Sequence, residues 1–177
     1  MNKLISKKSM MLIIILVIVT IVALIAYLPK NLWTAMSVES TDLSKLTIND
    51  ISLKGNVANI NLTAYKKNPD FNDKCTKDAD YRYYENFLIA YNSKGDIIKL
   101  QTLSENGISS FAGYNLHNLN DMKNKLGNNF ADQSYDSAQS LNAKVYYDKK
   151  NRIKASFIYP KNNEADQRIV WAILEKY

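Results

Sequence analysis

The chain has 177 residues, 46% hydrophobic and 23% charged, with a formal charge of +6. Residues 1–30 hold four lysines and no acid, while the remainder holds 19 basic against 17 acidic residues. The basic excess is therefore local, and a near-neutral body lacks the counterion-release drive that a nucleic-acid partner requires.

The excess surrounds an uninterrupted apolar run, Met10 to Leu28, 19 residues in which only Thr20 and Tyr27 are partly polar. At about 1.5 Å per helical residue the run covers roughly 28 Å, near the hydrocarbon thickness of a bilayer. It is longer than a secretory h-region and lacks a small-x-small cleavage pattern. The sequence therefore predicts a retained membrane anchor built on positions such as Met10, Leu16, Thr20 and Leu28, in contact with lipid. Lys3, Lys7 and Lys8 precede it and set its direction. The positive-inside rule places residues 1–9 in the cytoplasm and the rest of the chain outside. Tyr27 and Trp33 fit an aromatic belt at the outer surface.

Residues 29–47 read as a polar stalk, and 48–177 as one extracytoplasmic domain. Residues 51–54 and 58–64 alternate in period two around Gly55-Asn56, which predicts a hairpin. Residues 81–91 predict a strand whose Tyr81, Tyr83, Phe87, Ile89 and Tyr91 share a face, and residues 97–103 return after a turn at 92–96. Leu116, Leu119, Met122 and Leu126 have helical spacing, with Asn118 or Asn120 to cap and Gly127 to stop. Residues 141–160 read as a hairpin around Asp148–Asn151, with Lys144, Arg152, Lys154 and Ser156 turned to water. Residues 164–177 carry helix-terminal charges, so a helix is favoured over a central strand, with Trp171 in the core. No internal repeat is visible. The expected fold is an N-terminal transmembrane helix followed by a β-rich, mostly antiparallel α+β domain. The alternative is an all-β Ig-like sandwich.

Chemistry is weakly marked. Cys75 is the only cysteine and His117 the only histidine, too few for a zinc site or a disulfide. No phosphate-binding or nucleophile-elbow motif occurs. No catalytic residue, metal or cofactor is assigned. The loop holding Asp70, Phe71, Asp73, Cys75, Asp78 and Asp80 lacks the glycine of a calcium loop. Its length instead makes Asp70, Phe71, Cys75 and Asp78 a candidate contact surface. Glu85 falls on the apolar face of its predicted strand, where a buried acid becomes a catalytic candidate. The 12 tyrosines offer a second possible contact surface on an exposed sheet.

One disulfide-incapable cysteine, three arginines and abundant Lys, Asn and Ile suggest a low-GC Gram-positive bacterium. The reading is thus a single-pass anchored domain, not an enzyme, that binds an envelope protein or wall component. The alternative is a cell-wall hydrolase using carboxylates.

Overall fold

The computed structural model describes residues 7–26, 30–104, 107–161 and 168–177. It divides into two units, residues 1–37 and 38–177.

In the first unit, α1 (Lys7–Ala26) and α2 (Lys30–Ser37) are helical. The side chains described in α1 lie between Met10 and Ala23, Leu12 and Val22 excepted, and all of them are exposed. Met10 and Leu16 are 56% and 68% accessible. The Thr20 hydroxyl donates to the Leu16 carbonyl at 2.7 Å. Among the described residues no helix is long and apolar enough to cross a membrane. The expected anchor therefore rests on the sequence of residues 10–28. Lys3, Tyr27 and Leu28 lie outside the described residues, as do the side chains of Lys7, Lys8 and Trp33.

The stalk does not extend to residue 47. Thr41 N–H donates to the Tyr147 carbonyl at 2.9 Å, and Lys149 N–H donates to the Ser40 hydroxyl at 3.0 Å. Leu43 N–H reaches the Asp148 carboxylate at 3.0 Å. Leu43 and Leu46 are both 1% exposed. Polar letters around two leucines hid a segment that docks on the domain.

β1 (Leu46–Ile48) and β2 (Ile51–Ser52) form a hairpin. Its two turn residues, Asn49 and Asp50, both have positive φ, at 48° and 64°. That is the turn whose twist suits a two-residue hairpin, and Asn and Asp tolerate it. The predicted partner strand at 58–64 is absent. Two 3₁₀ turns, Val57–Asn59 and Leu62–Ala64, stand there instead. They set Val57, Ile60, Leu62 and Tyr65 against the core, a spacing of three and two that alternation had imitated.

β3 (Lys74–Cys75), β4 (Asp80–Tyr83), β5 (Phe87–Tyr91) and β6 (Ile97–Thr102) follow as an antiparallel meander. The single strand expected over 81–91 is thus two, broken at Tyr84-Glu85-Asn86 by a turn in which Tyr84 N–H donates to the Phe87 carbonyl. β7 (Ser109–Phe111) and β8 (Tyr114–Asn115) make a second short hairpin, again with positive φ at both turn residues, Ala112 and Gly113.

α3 (Leu119–Leu126) is the expected helix. Asn118 Oδ1 accepts from Asp121 N–H, and Asp121 Oδ2 accepts from His117 N–H, which satisfies orphan donors at the helix start. Gly127, at φ 81°, ends it.

β9 (Ala131–Asp136), β10 (Leu141–Asp148), β11 (Ile153–Pro160) and β12 (Trp171–Lys176) complete the domain. The hairpin expected at 141–160 is present, but Lys144 and Ser156 are buried, at 9% and 8% exposure. Lys144 lies 2.6 Å from Asp132 and over the Phe130 ring. The helix favoured over 164–177 is corrected to strand from Trp171 onward. Residues 162–167, which carry the helix-start signals, lie outside the described residues. β12 sits between β6 and β11. It buries Ala172 and Leu174 on one face and Ile173 on the other, so it is apolar in both directions, as central strands are. Trp171 is half-buried, outside the core.

All strand pairings among the described residues are antiparallel. One sheet has the order β2-β1-β7-β8, the other β3-β4-β5-β6-β12-β11-β10-β9. The domain is β-rich, with α3 its one α-helix among the described residues. Among the described residues the Greek-key connections of an Ig-like sandwich do not occur, because sheet neighbours are chain neighbours apart from the β1–β7 and β6–β12 pairs. The plan nevertheless repeats: a two-residue-turn hairpin, a short helical segment, then a meander. The small sheet and α3 cover one face of the large sheet, contributing Leu46, Ile48, Leu119 and Met122 against Phe87, Ile89, Tyr146 and Phe157.

Candidate ligand-binding face

The covered face of the large sheet is fixed by period-two alternation, so its other face follows from register. One row across that outer face runs Tyr81, Ala90, Lys99, Glu175, Lys154, Tyr147. The adjacent row runs Tyr83, Leu88, Gln101, Ile173, Ser156, Val145. Charged groups thus occupy the middle of the sheet, with tyrosines toward its sides.

A cavity of about 220 Å³ opens on this face, lined by Lys99, Gln133, Ser134, Tyr135, Ala143, Lys154, Ser156, Ile173 and Glu175. Its walls come from β6, β9, β10, β11 and β12. The Lys154 ammonium pairs with the Glu175 carboxylate, their side chains 20% and 29% exposed. Lys99 is half-buried beside them, and its ammonium has no hydrogen-bond or ion-pair partner among the described residues. Tyr135 is 44% exposed and stands 6.2 Å from the Trp171 ring. Burial raises the Tyr147 phenol above its ordinary range, outweighing the Lys154 charge and a Gln133 hydrogen bond. Tyr147 is therefore a neutral hydroxyl at physiological pH.

The predicted contact loop lies at the β3 edge of the same sheet. Phe71 is 52% exposed and stacks on Tyr83, centroids 5.4 Å apart. Asp70 and Asp78 are exposed. The loop is ordered by Asp73, which the contact prediction left out. It takes Lys67 Nζ at 2.7 Å, Tyr83 N–H at 3.1 Å and Arg82 Nη1 at 3.5 Å. Burial raises the Asp73 pKa, but Lys67, the Tyr83 amide and Arg82 together outweigh it, and the net shift is downward. A lowered carboxylate pKa stabilises the fold above the unfolded value and loses that support as pH falls through the folded one. Below about pH 4, the Phe71 and Tyr83 ring signals in NMR are expected to converge on their values in Asp73→Asn. Unchanged ring shifts down to pH 2 would refute this role.

Cys75 is exposed on β3. A hydrogen bond with Asp80, slight desolvation and the Asp80 charge raise its thiol pKa, while Arg82 opposes them more weakly. A protonated thiol is a poor nucleophile. His117 is exposed at the start of α3, with its backbone held by Asp121.

Glu85 is corrected from a strand face to the β4–β5 turn, where Lys66 Nζ meets it at 2.5 Å and its side chain is 41% exposed. The small cavity beside it is lined by Asn49, Tyr65, Lys66, Tyr84, Asn86 and Phe87 as well, with no second carboxylate. No cluster of metal-ligating side chains occurs among the described residues.

No known family, characterised protein or solved structure matches the chain. The outer-face cavity escaped sequence reading because its charges come from three strands far apart in the chain. The available signal was a charge interrupting each apolar alternation: Lys99 before Leu100, Lys154 after Ile153, Glu175 after Leu174.

Proposed function

We propose that this is a single-pass membrane protein whose 38–177 domain stands outside the cell and binds an envelope partner without catalysis, through the outer face of the large sheet. The observation that supports binding is the polar cavity around Lys99, with Tyr135 as its exposed wall. Sheet faces that only meet water do not need a concave, aromatic-walled pocket with an unsatisfied half-buried cation. The anchor is supported by 19 apolar residues and the lysine asymmetry. It is also supported by a Thr20 hydroxyl already bonded within its helix, as an apolar medium demands. The hydrolase reading needs a second acid close to Glu85, and no observation favours it.

Photo-crosslinking in the producing cells tests the proposal. A benzophenone amino acid at Tyr135 is expected to yield a discrete adduct with a wall fragment or envelope protein. The same probe at Tyr114, 60% exposed on the small sheet, is expected to yield none. Identical patterns from both positions, or none from Tyr135, would sink the assignment of this face.

A further inference from the structure

The cavity has a charge imbalance that narrows its ligand. Two lysines, Lys99 and Lys154, share it with one carboxylate, Glu175. Glu175 is committed to Lys154, so one positive charge remains, on Lys99. We propose that Lys99 receives a single carboxylate, borne by an amino-acid-sized group with a small aliphatic side chain, as at a free peptide C-terminus. This rests on the binding-face reading above and specifies its ligand.

Three features carry the assignment. The volume, about 220 Å³, equals roughly seven waters' share of liquid, room for one residue and its carboxylate. The apolar lining is small, Ala143 and Ile173, which suits a methyl-sized side chain. Around them stand the amide of Gln133 and the hydroxyls of Ser134, Ser156 and Tyr135, which can pair with a neighbouring peptide group. Glu175 disfavours a ligand of higher charge: a phosphate monoester, with a second pKa near 6, would bring an additional negative charge beside that carboxylate.

The test uses the full chain in detergent micelles, titrated with N-acetyl-alanine, its carboxamide, inorganic phosphate and dimethyl phosphate, and read by NMR shifts. Saturable shifts at Tyr135 and Ile173 are expected with N-acetyl-alanine alone. Lys99→Met should weaken that binding by at least about tenfold, the loss of one charge-assisted hydrogen bond. Lys99→Arg should retain most of it, which separates charge from folding. Equal binding of the carboxamide, tighter binding of either phosphate, or unchanged affinity in Lys99→Met would overturn the proposal. Crosslinking at Tyr135 without N-acetyl-alanine binding leaves the face and removes the carboxylate. The reverse result keeps the carboxylate site and removes the envelope partner.

Discussion

Phe157→Ala is expected to destabilise the domain by about 3–5 kcal/mol, a fall in Tm of roughly 10–20 °C for a domain of this size. Phe157 is fully buried on β11 and meets the Tyr146 ring edge-on at 6.0 Å. Tyr146 in turn donates to the Gly127 carbonyl at 2.7 Å, just past α3. Burial, helped by the Asp132 charge, lifts the Tyr146 phenol far above its ordinary range, so this donor persists at any ordinary pH. The Tyr146–Phe157 ring pair thus joins the large sheet to the helix that covers it, and truncation of Phe157 leaves a void where two layers meet. Phe71→Ala, a half-exposed ring on the β3 edge, should change stability by less than about 1 kcal/mol. Urea or thermal unfolding of the full chain in detergent, followed by near-UV circular dichroism, compares the two. Similar losses from both would mean that the layers are not joined through Phe157.

The other large effect concerns location. Protease added to intact protoplasts is expected to digest the domain beyond residue 30 nearly completely, leaving a short membrane-bound fragment. Removal of residues 1–29, with an independent export signal supplied, is expected to release the domain into the medium. Both outcomes follow from the 19-residue apolar run and from three lysines on its amino-terminal side. Full protection in protoplasts would reverse the orientation, and membrane retention of the shortened chain would show that the run is not the anchor.

The parts of the fold that could be read directly are those with local signals. α3 announced itself by its leucine spacing, its Asn118 cap and Gly127. The β10–β11 hairpin announced itself by a polar turn between aromatic and β-branched runs. The parts that could not be read depend on partners distant in the chain. β12 looked like a helix because Glu164, Asp166 and Lys176 sit where helix-end charges belong, and a strand enclosed by β6 and β11 loses the alternation that would have countered them. Residues 58–64 looked like a strand because turns of 3₁₀ helix also bring apolar residues back at short intervals. Leu43 and Leu46 looked like stalk because their partners lie far along the chain, Asp148 for the Leu43 amide and Phe111 for Leu46. The ligand cavity was hidden for the same reason: Lys99, Glu175 and Lys154 become neighbours only through strand register. The contact loop was found by length, yet Asp73, the residue that holds it, looked like any other acid there.

The β6–β12 pair also imposes an order of events on synthesis. β6 is complete at Thr102, but the strand it must bond to begins only at Trp171. Until that segment emerges, the amino-terminal meander exposes an unpaired edge containing Leu100, and the cavity lacks both Ile173 and Glu175. A nascent chain stalled before residue 171 is therefore a target for chaperones, and ribosome-arrested lengths on either side of that point should differ sharply in protease resistance.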